Sequence, residues 1–213
     1  MRLLPAIVAM AAIVVASNIL VQFVIAGGLL TWGAFSYPLV FLVVDLTNRL
    51  HGPRAARAVV LWGFVTGILC SLVGSQVTLA TGPAVPLRVA TGSGAAFLAA
   101  QLLDVAIFQA FRRREWWRAP LVSSFASSGL DTLLFFGVAF SATLSPPFPP
   151  EANEAVAWAQ GPAPLLGVGA EAPLWASLAL ADFGIKVLMA LLALVPYRLV
   201  LRRLVPAQGR SVG

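Results

Sequence analysis

The sequence predicts an all-α membrane protein: a bundle of six transmembrane helices with both ends on the cytoplasmic side. Three observations carry this. The 213 residues are 60% hydrophobic and only 10% charged, with a mean hydropathy of +0.91, too little charge to coat a water-soluble domain of this length. Six apolar stretches are each close to the ~20 residues that span a bilayer. The basic residues fall in short breaks on one side of that pattern.

The first stretch, 3–25, follows Met1-Arg2 and outruns a signal-peptide core of roughly 7–15 residues, so it is expected as a retained helix. Gly27-Gly28 separates it from the second, 30–47. That short connection predicts a tight antiparallel hairpin. His51-Gly52-Pro53 leads to the third stretch, 56–79, and Thr81-Gly82-Pro83 with Pro86 leads to the fourth, 89–111. The fifth, 119–144, ends at the Pro146–Pro150 cluster, and the sixth runs 174–199. Residues 1–205 are read as one domain and 206–213 as a short cytoplasmic tail. The loop 145–173 has too many Pro and Gly residues for another span. An irregular cover is expected there, with a short amphipathic turn over 151–160 as the alternative.

Arg2, Arg49, Arg54, Arg57, Arg112, Arg113, Arg114, Arg118, Arg198, Arg202, Arg203 and Arg210 share one side, 12 of 14 basic residues. The other side has Arg88 and the acids Glu151, Glu154 and Glu171. The positive-inside bias makes the arginine-rich side cytoplasmic. Trp116 and Trp117, and Trp32, Trp158 and Trp175, suit the two interfaces. The net charge of +6 is explained by this topology and by membrane lipid headgroups rather than nucleic acid.

Ionisable groups inside spans are expensive and call for a partner, a cavity or a neutral state. In the fourth stretch Ser93, Phe97, Gln101 and Asp104 fall within about 80° of helical arc. Arg88 stands at the outer entrance. Either these side chains glue helices together, or they line a solute cavity suited to a heterocycle. In the sixth stretch Asp182 and Lys186 sit four apart on one face, as a structural pair or for a specific task. Lys186 is the only lysine. Asp131 shares a face with Ser124, Ser127 and Ser128 and can pair with Lys186 across helices; the serines suit close helix packing. Asn18 and Gln22 are interhelical glue or ligand contacts. Asp45 can reach the interface or pair with Arg49, so Asp45 and Asp182 are read as gating or structural.

Catalysis is not expected. Thr91-Gly92-Ser93-Gly94 looks like a nucleophile turn, but Thr91 replaces the glycine such a motif needs, and no histidine lies in a span to act as base. His51, the only histidine, lies in a basic turn, and the single Cys70 lies in an apolar run. No metal-ligand set, cofactor motif or phosphate-cradling loop is present.

Several stretches resemble the bacterial queuosine precursor transporter family, part of a wider vitamin-uptake group of six-helix membrane proteins. They are Ala16-Ser17-Asn18; Leu30 through Pro38, leading to Asp45; Gly52-Pro53-Arg54-Ala55-Ala56-Arg57; Arg88-x-Ala90-x-x-Ser93 through Phe97, Gln101 and Asp104; and Asp131-Thr132 with Lys186. Many relatives carry an acid where this chain has Asn48. The resemblance implies inner-membrane uptake of a small 7-deazaguanine base, in its 7-cyano or 7-aminomethyl form, for salvage into modified tRNA. Asn18, Gln22, Arg88, Ser93, Phe97, Gln101, Asp104, Asp131 and Lys186 are then the candidate substrate contacts. A carboxylate such as Asp104 or Asp131 could accept from N1–H and the exocyclic amine. Gln101, Asn18, Lys186 or Arg88 could donate to O6, and Phe97 could stack. A solute-binding subunit on an ATP-driven module and a non-transport scaffold are the alternatives. A homo-oligomer is left open.

Overall fold

A computed structural model describes residues 3–79 and 82–204. Arg2, Thr81, Arg210 and the tail 206–213 therefore lie outside the described residues. The chain is mainly helical. The helices are α1 (Leu4–Leu20), α2 (Gly33–Ser36), α3 (Leu39–His51), α4 (Pro53–Gln76), α5 (Leu87–Phe111), α6 (Arg118–Phe140), α7 (Pro150–Glu154) and α8 (Leu174–Leu204). Three two-stranded hairpins join them: β1 (Val24–Ile25) with β2 (Leu30–Thr31), β3 (Thr78–Leu79) with β4 (Gly82–Pro83), and β5 (Pro162–Pro164) with β6 (Glu171–Pro173).

Four helices, α4, α5, α6 and most of α8, are long and apolar enough to cross a membrane. The first two expected spans are realised differently. α1 ends at Leu20, and the chain turns through β1 instead of continuing helically to residue 25. The expected span 30–47 is broken. α2 covers only 33–36, Tyr37 and Pro38 intervene, and α3 runs on past 47 to His51. Pro38 has no N–H to continue the α2 ladder, so α3 starts afresh after it. The third helix begins at Pro53, where a proline's missing N–H costs nothing. Gly52 makes the sharp turn before it at φ 87°, a conformation other residues rarely adopt.

α5 and α6 pack most extensively, joined by the basic turn 112–117. Their closeness has a local cause at Gly92, where an added Cβ would lie 3.1 Å from the Phe135 carbonyl oxygen and 3.2 Å from Ala139 N. α8 packs on α6, while α1, α3 and α4 pack with one another and with α5. α1 packs on both α2 and α3 across the β1–β2 turn, and the Ser17 and Ser36 hydroxyls meet at 2.9 Å. Gly33 lies so near Val21 that a Cβ would come within 3.0 Å of its backbone.

The core is apolar: Met10, Val14, Val40, Phe41, Val44, Val59, Val60, Phe97 and Val105 interlock between α1, α3, α4 and α5. Leucines and valines of α4 and α8, including Leu61, Leu69, Val73, Leu188, Leu192 and Val195, point outward. Outward apolar rows on long helices are the surface lipid would solvate. The loop 145–173 is more ordered than the irregular cover expected there. α7 and the hairpin β5–β6 form in it, and Val156 and Ala159 bury against Phe136, Ala139 and Phe140 of α6. The loop lids one end of the bundle.

The basic end is knitted together. Arg49 donates to the Arg112 carbonyl (2.5 Å), and Arg112 donates to that of Arg49 (2.9 Å). The Arg198 guanidinium stacks 4.8 Å from the Trp116 ring.

Candidate functional site

The polar residues of the interior fall into four places. The first is an ion network between α6 and α8. Lys186 Nζ donates to Asp131 Oδ2 (2.6 Å), Asp182 Oδ2 (2.5 Å) and Thr132 Oγ1 (3.2 Å), and the Thr132 hydroxyl donates to Asp182 (2.9 Å). The pairing along α8 and the pairing across to Asp131 therefore coexist on one ammonium that is 3% exposed. Two carboxylates around one lysine leave an excess negative charge when all three are ionised. Part of it is met by Tyr37, whose hydroxyl donates to Asp131 Oδ1 at 3.3 Å and whose ring lies 5.8 Å from Lys186 Nζ.

The second place is a small cavity toward the end away from the arginines, lined by Asn18, Tyr37, Phe64, Ser71, Ser93 and Phe97 among others. It brings together three of the candidate contacts, Asn18, Ser93 and Phe97. Tyr37 and Phe97 pack edge to face, with centroids 6.3 Å apart. Asn18 Nδ2 bonds back to the Val14 carbonyl at 2.9 Å, leaving its own oxygen free of that contact.

The third place lies further along α5 toward the basic end. Gln101 and Asp104 sit one and two turns beyond Phe97, both 0% exposed. Neither the amide nor the carboxylate of these two residues has a hydrogen-bond partner. Asp45 of α3 is buried as well, at 2% exposed. It makes no bond to Arg49, whose guanidinium donates to the Arg112 carbonyl. Instead Ser123 and Ser124 donate to it at 3.3 and 3.5 Å. A second small cavity opens beside Asp45 toward the basic end, lined also by Ser124, Ser128, Lys186 and Tyr197. Each cavity is about one water in size, so this is a closed arrangement.

The fourth place is Arg88, at the N-terminal end of α5 and separate from both cavities. Its guanidinium donates to the Val138 and Ser141 carbonyls, Ser145 Oγ and Asn153 Oδ1, and stacks on Phe148. It ties the end of α6 to the outer loop. Gln22 lies nearby at the exposed rim, with Nε2 3.4 Å from the Ala84 carbonyl.

Tyr37 is a site residue the sequence reading did not single out. The signal available was its place beside Pro38, where a helix break inside an apolar run leaves a polar tip in the bundle.

The architecture and its buried polar network define a multi-pass α-helical membrane protein with a polar interior. The sequence family described as putative vitamin uptake transporter matches residues 31–200, and the chain belongs to that family. It is similar to the queuosine precursor transporter of Escherichia coli (strain K12), with 37% identity over 60% of this chain and 64% of the relative. It is also similar to two proteins described as probable queuosine precursor transporters. That of Haemophilus influenzae is 33% identical over 54% of each chain. That of Bacillus subtilis (strain 168) is 29% identical over 85% of this chain and 75% of the relative. The chain thus spans less than two thirds of the length of the first two. No solved structure matches it.

Proposed function

We propose that the protein is an importer of a queuosine precursor, 7-cyano- or 7-aminomethyl-7-deazaguanine, across the bacterial inner membrane for tRNA-modification salvage. In this reading residues 1–205 form one six-span domain, with α1 and the broken α2–α3 pair as the first two spans. Both termini are cytoplasmic. Family membership and the names of the relatives support the solute class.

The observation that carries the proposal is the pair Gln101 and Asp104: four polar atoms, fully buried, none with a partner. Buried polar groups left unpaired cost about 1–3 kcal/mol each, and more for charged groups. A membrane bundle that retains them has a use for them. A guanine-like edge offers N1–H and an amine to the Asp104 carboxylate and O6 to the Gln101 amide. Phe97 and Tyr37 supply aromatic surface one turn away, with Asn18 and Ser93 on the same cavity. Bases lacking the matching edge would leave these groups unpaired and be rejected. Because the cavity is about one water in size, solute entry requires the helices around it to part.

The test is uptake of radiolabelled 7-deazaguanine base into a strain lacking its own precursor synthesis. Asp104→Asn and Gln101→Ala should abolish uptake while expression stays normal. Wild-type rates in both variants would overturn the site, and failure of the wild-type chain to restore uptake would leave only the scaffold reading. Uptake by the purified protein alone in liposomes separates self-sufficient transport from a subunit that needs an ATP-driven module.

A further inference from the structure

Asp45 carries a buried carboxylate with too little around it to hold its charge. Its bonds come from the Ser123 and Ser124 hydroxyls, at 3.3 and 3.5 Å. A hydroxyl donating to a carboxylate normally closes to about 2.5–2.7 Å, so both contacts are slack. Ser123 has one hydroxyl proton and a second acceptor, the Pro120 carbonyl, also at 3.3 Å. Among the described residues the ion pairs are Arg118–Glu115, Lys186–Asp131 and Lys186–Asp182, so no cation stands within pairing distance of Asp45. Inside a membrane bundle an ionised group calls for a partner of opposite charge.

The cavity on the basic side lies against this carboxylate. Asp45, Ser124, Ser128 and Tyr197 line it from α3, α6 and α8, and all four are more than nine-tenths buried. Ser128 Oγ and the Tyr197 hydroxyl have no hydrogen-bond partner. Three helices thus bring one carboxylate and three hydroxyls to a space about one water in size. Lys186 borders the same space, but its ammonium is bonded to Asp131 at 2.6 Å and to Asp182 at 2.5 Å, so its charge is more than matched. Phe41, Leu42, Ala190 and Leu194 fill much of the remaining wall and bring no side-chain donor.

Unpartnered buried hydroxyls call for a polar ligand, and the carboxylate sets its sign. A water would satisfy the hydroxyls and leave the Asp45 charge unmatched. A cation satisfies both, since carboxylate and hydroxyl oxygens are hard ligands and suit hard ions. One carboxylate among neutral oxygens balances a single positive charge, whereas calcium sites gather several carboxylates. A bare sodium ion is smaller than a water and fits where potassium is crowded.

We propose that the cavity of Asp45, Ser124, Ser128 and Tyr197 binds a sodium ion. The carboxylate supplies the charge, and the three hydroxyls supply neutral oxygens from α6 and α8. The site stands whether or not the transport reading does.

Binding of radioactive sodium to the full chain, purified in detergent, tests it. The wild type should saturate at one ion per chain, and Asp45→Asn should lose saturable binding. Ser128→Ala and Tyr197→Phe each remove one hydroxyl and leave the charge in place, so each should weaken binding about tenfold. Glu154→Gln, at an exposed acid of α7, should bind as the wild type does. Thermal unfolding in sodium chloride against choline chloride at equal ionic strength checks folding and binding together. Sodium should raise the melting temperature of the wild type and leave that of Asp45→Asn unmoved. Should Asp45→Asn fail to fold, the two hydroxyl variants decide the matter. No saturable sodium binding by the wild type, as when only a water fills the cavity, overturns the proposal. Undiminished binding by Asp45→Asn, or by both Ser128→Ala and Tyr197→Phe, overturns it too.

Discussion

Replacing Arg88 by methionine should loosen the outer end of the bundle without touching its middle. The guanidinium makes five contacts of 2.7–3.1 Å onto four acceptors. The Val138 carbonyl, in the last turn of α6, has no other described partner, since a helix leaves its final carbonyls unsatisfied. Methionine orphans that carbonyl, at about 1–3 kcal/mol, and removes charge-assisted bonds worth about 1.5–3 kcal/mol each. Against this stands relief of the several kcal/mol that burying a cation costs. The net expectation is a loss of about 2–4 kcal/mol, or roughly 5–15 °C in melting temperature for a chain of this size.

Thermal unfolding in detergent reads the magnitude, and cleavage by a Glu-specific protease reads the location. Exposed Glu151 and Glu154 lie in the segment that Arg88 holds through Ser145 and Asn153, so cleavage there should accelerate. Arg88→Lys should fall between, because one ammonium cannot span acceptors that a planar fork reaches together. An Arg88→Met chain with unchanged melting and unchanged cleavage would refute the assignment of this arginine to the lid.

Two further perturbations address the packing. Lys186→Met strands Asp131 and Asp182 beside each other and should cost about 3–5 kcal/mol. Adding Asp182→Asn should recover part of that in a double-mutant cycle, whereas additive effects would mean that the 2.5 Å contact carries no coupling. Gly92→Val should destabilise by about 1–3 kcal/mol, since its Cβ meets backbone atoms of α6 that cannot swing away. Gly137→Ala, where a Cβ meets nothing within 4 Å, is the matched control in the same melting assay.

What was legible in the sequence follows how local each signal is. Hydropathy and arginine placement marked the long helices to within a few residues at most ends, because length and polarity act segment by segment. The Asp182–Lys186 pair was legible from helical spacing, and Asp131 as its cross-helix partner from the shortage of other cations. Pro38 was a visible breaker inside the second apolar stretch, and the run of hydropathy around it masked the break. The bonds from Ser123 and Ser124 to Asp45 had no local sign, since they exist only where α3 meets α6. At helical spacing Arg49 looked the better partner for Asp45 until the α5–α6 turn brought it the Arg112 carbonyl. Arg88 looked like an entrance residue for a similar reason: its four acceptors lie 50 to 65 positions away, at the end of α6 and in the loop after it, whose fold no periodicity encodes.

The break at Tyr37–Pro38 gives the interior its order. Tyr37 lines the cavity that holds Asn18, Ser93 and Phe97. Its hydroxyl bonds Asp131, and Asp131 bonds Lys186, which lines the cavity on the basic side. One hydrogen-bonded chain therefore links the linings of the two small cavities. A discontinuous helix in a membrane is tolerated where its freed backbone meets protein or a water-filled space. Here the break falls at the start of that chain. Motion of α3 against α6 and α8 must break the Tyr37–Asp131 bond, which is the long one of the chain at 3.3 Å. Lys186 still holds Asp182 when Asp131 lets go, so the ammonium is never left bare. The second acid on α8 then has a reason to exist that a simple one-to-one ion pair would not supply.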